Sequence, residues 1–428
     1  MKKVAILTLY WPPDGGTNVL RWVKFAKHLP KNGWKPIIIT PYRHSFHSPD
    51  QTLLSETSDE IDIIRFQLPD EYYQLFYNEV PVTEVPEQLK TKSLLERILQ
   101  VFTKEHEVQK TEVELHIDEV ISEIVKRLKE EKIHSFVSAG MVESIHLFAK
   151  KIANNLRCHW LLDVKNPFGV SFDGDAGYST TLRFSKKLLE NGKALIVPGK
   201  RVAYELNQQG LVNTEVITDG FDDVPRVPET DKKFTIVHIG TMNDNRIPGH
   251  LWQALDELCN ELNGFKKDLR IELIGDVSDT VIQNIESYAL KSNVNYIKRI
   301  PNIDARLRAY KAQVLLLVIE RLPEATSIIT HKFYEYLAAC RPILGIGPLT
   351  GDAAEILHDT GAGRMFHYKE LRELKNQITF WYNEYNKREL VVKSKGIRKY
   401  NCRTLSKQLA SFLENPVVRN ADALMEEY

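Results

Sequence analysis

The 428-residue chain has few cysteines, no net charge and no long apolar run, and each absence removes a class of function. Its four cysteines stand at 158, 259, 340 and 402, with no Cys-x-x-Cys pair and no His/Cys cluster at zinc spacing. They read as reduced, mostly buried thiols of a cytoplasmic protein rather than a disulfide framework. Lys plus Arg (57) equals Asp plus Glu (57), so the global positive charge used in non-specific nucleic-acid binding is missing. No segment approaches the roughly 20 consecutive apolar residues that span a bilayer. The opening Met1-Lys2-Lys3 and the short apolar run behind it lead at once into Tyr10-Trp11-Pro12-Pro13; this reads as a first buried strand and not as a signal peptide. The 13 histidines give no His-x-x-x-His pair with a third partner, so no metal site is expected. Gly15-Gly16 follows the first apolar run but lacks G-x-G-x-x-G spacing, which argues against a dinucleotide cofactor.

What is present is a repeated strand–helix alternation, which predicts an α/β fold with parallel sheets. The length exceeds what one core usually supports, so two domains are expected. Strands are predicted at 4–9, 36–40, 61–66, 135–138, 159–164 and 194–197, with helices at 17–31, 111–129 and 141–154. A second series follows, with strands at 234–239, 270–274, 294–297, 314–318 and 341–346 and helices at 250–262 and 280–291. The segment from Asp219 to Pro228, with one glycine and two prolines, reads as the linker. Residues 68–110 break the alternation and read as an insertion, either packed on the first domain or forming a lid toward an acceptor or a membrane. The helix near 17–32 turns Arg21, Lys24, Lys27, His28 and Lys31 outward, as a solvated face or a weak attraction to anionic lipid. His238, on an apolar strand, reads as a core residue.

The most informative stretch is Thr330-His331-Lys332-Phe333-Tyr334-Glu335-Tyr336-Leu337-Ala338-Ala339-Cys340-Arg341-Pro342. It predicts a helix start carrying Lys332 and Glu335 on one face. A helix N-terminus favours phosphate, a lysine beside it adds a full charge, and a carboxylate one turn on can accept from ribose hydroxyls. The same spacing also suits an ordinary amphipathic helix with a surface ion pair.

This run resembles the donor-binding helix of family-4 retaining glycosyltransferases, S-K-x-x-E-Y-x-A-x-G-x-P, with Cys340 at the glycine. Tyr10-Trp11-Pro12-Pro13-Asp14-Gly15-Gly16 with Arg21 is similar to the family's F-P-P-x-x-G-G-x-x-x-x-R. His159 to Phe168 is similar to W-x-x-D-x-R-D-P-W, and Asp219-Gly220-Phe221-Asp222 to N-G-x-D. Gly345-Ile346-Gly347-Pro348 and Gly361-Ala362-Gly363-Arg364 resemble later strand ends.

The resemblance implies a GT-B architecture, two Rossmann-like doubly wound domains facing across a cleft. It implies residues 1–220 as the acceptor domain, 221–394 as the donor domain, and 395–428 as a terminal helix crossing back to the first. The implied activity is retaining transfer of a sugar from a nucleotide-diphosphate sugar to a saccharide or lipid-linked acceptor, in surface polysaccharide synthesis. No cofactor or metal is implied; the nucleotide sugar is a substrate. Lys332, Glu335, Arg246 and Lys165 are the implied catalytic groups, with Glu335 on the ribose and Lys332 and Arg246 on the leaving diphosphate. Gly15, Gly16, Gly240, Thr241, Thr326, Ser327 and Ile328 complete the donor site, and Asn166 and Arg21 lie near sugar or acceptor. Ser327 stands where many members carry a second glutamate, and Thr241 where an arginine is common. A nucleotide-sugar 2-epimerase of the same architecture, or an inactive nucleotide-sugar-binding partner, therefore stays open. The expected setting is cytoplasmic, with peripheral contact to the inner membrane face left open.

Overall fold

The structure, a computed structural model, describes residues 1–43, 49–58, 60–68, 112–165, 168–172, 178–182, 186–211, 213–224, 228–322 and 325–416. The 68–110 insertion and Asn166 therefore lie, apart from Leu68, outside the described residues.

Two parallel sheets organise the chain. The first contains β1 (Lys2–Thr8), β2 (Trp34–Pro41), β3 (Asp62–Phe66), β4 (Ser135–Gly140) and β5 (His159–Val164). An antiparallel hairpin, β6 (Phe168–Phe172) with β7 (Tyr178–Leu182), interrupts it before β8 (Ala194–Val197) and β9 (Thr214–Val216). Its strand order is β3-β2-β1-β4-β5-β8-β9. The second contains β10 (Phe234–Ile239), β11 (Leu269–Ile274), β12 (Val294–Ile297), β13 (Val314–Val318), β14 (Ile343–Ile346) and β15 (Gly363–Phe366), ordered β12-β11-β10-β13-β14-β15. In each sheet the chain first winds outward to one side and then starts again on the other. That reversal, at β1/β4 and at β10/β13, leaves a crevice beyond the carboxyl ends of the strands.

The helices needed below are α1 (Thr17–His28), α2 (Glu112–Glu130), α3 (Glu143–Ala153), α4 (Lys200–Gln208), α5 (Gly249–Glu261), α6 (Asp279–Glu286), α7 (Asn302–Lys311), α8 (His331–Ala339), α9 (Asp352–Thr360), α10 (Leu371–Asn386) and α11 (Cys402–Glu414). Alternation along the strands decides the layers. Val4 and Ile6 of β1 enter a core with α1 and α11, whereas Ala5 and Leu7 enter one with α2 and α3. In the second sheet Leu316 and Val318 pack toward α5 and α10, and Leu315 and Leu317 toward α7 and α8. Helix α11 lies against α1 through Leu405, Leu409, Phe412 and Leu413, and the Leu413 carbonyl accepts from Ser135 Oγ at 3.0 Å. Burying such side chains contributes about 1.5–3 kcal/mol each.

One expectation is corrected. The basic face of α1 does not point to solvent: Arg21, Lys24 and His28 are buried, and Lys27 is half-buried between Glu56 and Asp222. They face carboxylates contributed by distant segments, which amphipathic spacing cannot show. The segment starting at Asp219, read as the linker, runs between β9 and β10 and is held against the C-terminal part of the chain. Phe221 N–H donates to the Tyr400 carbonyl (3.1 Å) and its carbonyl accepts from Cys402 N–H (2.9 Å). A Cβ on Gly220 would come within 2.6 Å of the Tyr400 carbonyl oxygen, so this crossing needs glycine.

Candidate functional site

The site is built where β10 ends. Gly240 takes φ +115°, and a Cβ there would stand 3.0 Å from Lys332 Nζ. Gly275 ends β11 at φ +126°, and its Cβ would come 2.8 Å from the Gly240 carbonyl oxygen. Two strand ends thus approach one another in a way side chains would prevent. Helix α8 is pinned beside them, because Ile239 N–H donates to Tyr336 Oη at 2.9 Å. One turn earlier, Lys332 places Nζ 3.3 Å from His238 Nε2. His238 is buried, and its Nδ1 donates to the Leu316 carbonyl at 3.0 Å.

Arg246 closes the outer side. Its Nη1 donates to the Thr241 carbonyl (2.8 Å) and its Nη2 pairs with Glu320 Oε1 (2.9 Å), which also accepts from Asn243 Nδ2 (3.3 Å). Burial and then the Arg246 charge push Lys332 from 10.5 down to about 7, against a raising effect of Glu320. An amine so placed gains its charge most readily when an anion arrives. Thr330, before α8, gives no side-chain cap, and its Oγ1 is buried without a hydrogen-bond partner among the described residues; so are Arg246 Nε and Asn243 Oδ1. Thr326, Ser327 and Ile328 precede α8, on and just after a 3-10 turn, where a Cβ on Gly351 would come 2.2 Å from the Thr326 carbonyl oxygen.

Glu335 belongs to a different environment. Only 5% exposed, it pairs with Lys24 of α1, with Arg306 Nε of α7 (3.0 Å), and lies 3.6 Å from His331 Nε2. Burial alone would raise this carboxyl, but Lys24, a His331 hydrogen bond and Arg306 hold it well below the usual range. Glu335, expected on the ribose, here faces cations because α8 meets α1 and α7 along this face; its Oε2 pairs with Arg306 by charge but has no hydrogen-bond partner among the described residues.

Arg21, expected near sugar or acceptor, is likewise held in a buried ion-pair cluster. Its side chain is wholly buried. Nε and Nη2 donate to the two oxygens of Asp163 (2.9 Å each), Nη1 to Asp219 Oδ1 (2.9 Å), and Nη2 also to the Ile217 carbonyl (2.8 Å). This is a structural clamp that uses four of the five guanidinium N–H donors.

Asp219 connects the two halves. Its Oδ2 lies 3.6 Å from Lys165 Nζ and 3.5 Å from His331 Nδ1, directly before Lys332. Burial would raise this carboxyl, yet Lys165, His331 and Arg21 hold it well below the usual range. Lys165 lines a narrow cleft with Thr8, Tyr10, Asn18, Gly140 and Met141, at the carboxyl ends of β1, β4 and β5. In the Gly15-Gly16 turn, Gly16 N–H donates to Asp14 Oδ1 (3.3 Å) and the Gly15 carbonyl accepts from Arg299 (2.8 Å).

The structure therefore gathers Gly240, Thr241, Arg246 and Lys332, sets Lys165 in the first-sheet cleft, and removes Glu335 and Arg21 to buried ion pairs. Sequence reasoning missed Asp163, Asp219 and His331 as site groups, and read His238 as core. One signal was available for Asp163: a carboxylate inside the apolar strand His159-Trp160-Leu161-Leu162-Asp163-Val164 demands a buried cation.

No family model matches the chain, and no curated protein matches its sequence. Solved structures do resemble it. A glycosyltransferase from Rickettsia africae is 13% identical with a TM-score of 0.56, covering 100% of this chain and 96% of that one. The E. coli trehalose-6-phosphate protein bound with UDP-2-fluoro glucose is 12% identical with a TM-score of 0.59, covering 98% and 100%. A UDP-N-acetylglucosamine 2-epimerase homologue from Listeria monocytogenes is 9% identical with a TM-score of 0.55, covering 97% and 96%. These likenesses establish the architecture: two parallel-sheet α/β domains in the GT-B fold.

Proposed function

We propose that the chain is a glycosyltransferase that takes a sugar from a nucleotide-diphosphate donor by a retaining mechanism. The observation that carries this is the half-buried Lys332, held over Gly240 at the switch point of the second sheet beside the start of α8. Negative charge builds on the diphosphate as the sugar leaves, and a lysine whose proton is only loosely held gains most where that charge develops. Arg246 adds a second positive group, and residues 221–394 form the donor half. The acceptor, a saccharide or lipid-linked saccharide of surface polysaccharide synthesis, enters the first-sheet cleft at Tyr10, Met141 and Lys165, within residues 1–220. The E. coli protein of the same fold carries a UDP sugar analogue, which supports the donor class. We leave Glu335 out of the donor site.

A non-catalytic nucleotide-sugar binder is the second reading, favoured by the burial of Glu335 against Lys24 and Arg306. Screening the full chain against UDP-, GDP-, dTDP- and ADP-sugars by thermal shift tests both. A donor at 100 times its Kd stabilises by about 2.7 kcal/mol, which raises Tm by roughly 5–10 °C. The nucleotide that shifts Tm is then incubated with candidate acceptors: released nucleoside diphosphate with a retained anomer supports transfer, binding without release supports the second reading, and an isomerised sugar indicates an epimerase. No shift with any of the four refutes the donor site.

A further inference from the structure

His238 stands on a central strand whose neighbours β11 and β13 are both hydrogen-bonded to it, in an interior with few polar partners. A histidine there must find partners for two ring nitrogens. Nδ1 lies 3.0 Å from the Leu316 carbonyl oxygen, and a carbonyl only accepts, so Nδ1 carries the hydrogen. Burial, followed by the neighbouring Lys332 charge, holds this imidazole well below its usual range, so the ring is neutral and Nε2 keeps its lone pair. That lone pair faces Lys332 Nζ at 3.3 Å. The Thr241 carbonyl, which accepts from Arg246 Nη1, also lies by the ring, but a neutral imidazole with its hydrogen on Nδ1 has none on Nε2 to give it. The charged groups around the pair are Arg246, on the turn after Gly240, and Glu320, after β13. On the remaining side Gly240 leaves only the room that its missing Cβ vacates, so the amine is confined between an imidazole and a glycine.

We infer that His238 is the positioning residue for Lys332: its bare Nε2 accepts a hydrogen bond from the ammonium and holds that charge at the end of β10. What the ammonium meets there, a donor diphosphate, rests on the proposed function; the His238–Lys332 contact does not. Without this acceptor the half-buried ammonium would lose the hydrogen bond that favours its charged form, and its direction would be set only by its own rotamers. With it, the amine nitrogen is oriented before the ligand arrives, which is how fixed donors stabilise developing charge without reorganisation. The arrangement also explains a histidine where a strand core would ordinarily hold an aliphatic residue.

Two ligand-free measurements on the full chain test the assignment. Nitrogen-15 NMR of wild-type His238 should show Nδ1 protonated and Nε2 bare across neutral pH. The pH dependence of Lys332 acetylation, read site by site by mass spectrometry, should have a midpoint that falls by about one to two pH units in His238→Phe, which removes the acceptor. His238→Gln, whose amide oxygen can accept, should restore it to within about half a unit. A protonated Nε2 overturns the assignment, and decides the matter even where the Phe variant does not fold. An unmoved midpoint in a folded His238→Phe overturns it as well. A third measurement compares calorimetric affinities for UDP, GDP, dTDP and ADP: loss in His238→Phe with recovery in His238→Gln supports the assignment, and unchanged affinity in His238→Phe overturns it. If none of the four binds the wild-type chain, the donor-site reading fails, while the tautomer and the acetylation midpoint still decide His238.

Discussion

Arg21→Met offers the sharpest test of how the first domain is held. The side chain is wholly buried and makes four hydrogen bonds, two to Asp163, one to Asp219 and one to the Ile217 carbonyl, with its guanidinium 4.9 Å from the Phe25 ring centroid. Methionine preserves much of the volume and removes every donor. Asp219 keeps Lys165 and His331 nearby. The only other hydrogen bond to Asp163 found among the described residues is from Trp22 Nε1 at 2.8 Å, so Asp163 becomes a buried carboxylate with a single neutral donor. Breaking a buried pair by removing one partner costs about 3–5 kcal/mol. For a unit of 150–250 residues, each kcal/mol shifts Tm by about 2–4 °C, so a drop of roughly 6–20 °C is expected. Urea unfolding followed by tryptophan fluorescence and calorimetry would measure it. The double variant Arg21→Met/Asp163→Asn, which removes the stranded charge, should recover about 1–3 kcal/mol of the loss. A single-variant loss under about 1 kcal/mol, or a double variant whose losses simply add, refutes the reasoning.

Three further outcomes follow from the site. Glu335→Gln should lower Tm, because it removes a charge that Lys24 and Arg306 surround, while leaving nucleotide affinity in calorimetry unchanged; a tenfold or larger loss of affinity, worth about 1.4 kcal/mol, would return Glu335 to the ribose. Lys332→Met should weaken nucleoside diphosphate binding by roughly tenfold or more and monophosphate binding less, because one charged hydrogen bond is lost. Its stability effect also has a sign. The amine falls from 10.5 in the unfolded chain to about 7 in the fold, so the unfolded state binds more protons between those values and wild-type stability rises with pH across them; the penalty is full below about pH 7, and Lys332→Met should raise Tm more at acidic pH than at about pH 10, a ranking that a Tm–pH series reads directly. Gly240→Ala combines a positive φ with a Cβ 3.0 Å from Lys332 Nζ, so it should cost about 1–3 kcal/mol and displace the lysine, seen as lower Tm together with weaker diphosphate binding; normal binding would show that the Gly240–Lys332 contact is dispensable.

Local pattern in the chain determined more of the fold than of the site. The apolar runs that became β5, β8, β10 and β13 carry their own signal, because a strand buried on both faces must be largely apolar. The cues that failed were local ones overridden by packing. Helix α7 was not foreseen: its large apolar residues Ile303 and Leu307 are exposed while Ala305 and Ala309 are buried, so its periodicity points the wrong way. Helix α6 stops at Glu286, short of the predicted 291, where the chain turns to feed β12. The pairing of Lys332 with Gly240 needs α8 and β10, nearly a hundred residues apart, to meet at a strand end. The burial of Lys24 and Glu335 needs the two halves of the chain to meet along α1, and that of Arg21 needs α1 to meet β5 and the chain just after β9. Sequence determined that lysines and carboxylates occur at helical spacing on α1 and α8; only tertiary structure decided which of them face each other. Charge is read from a single residue, but a partner across 311 residues of chain, as between Lys24 and Glu335, is fixed by how the layers pack.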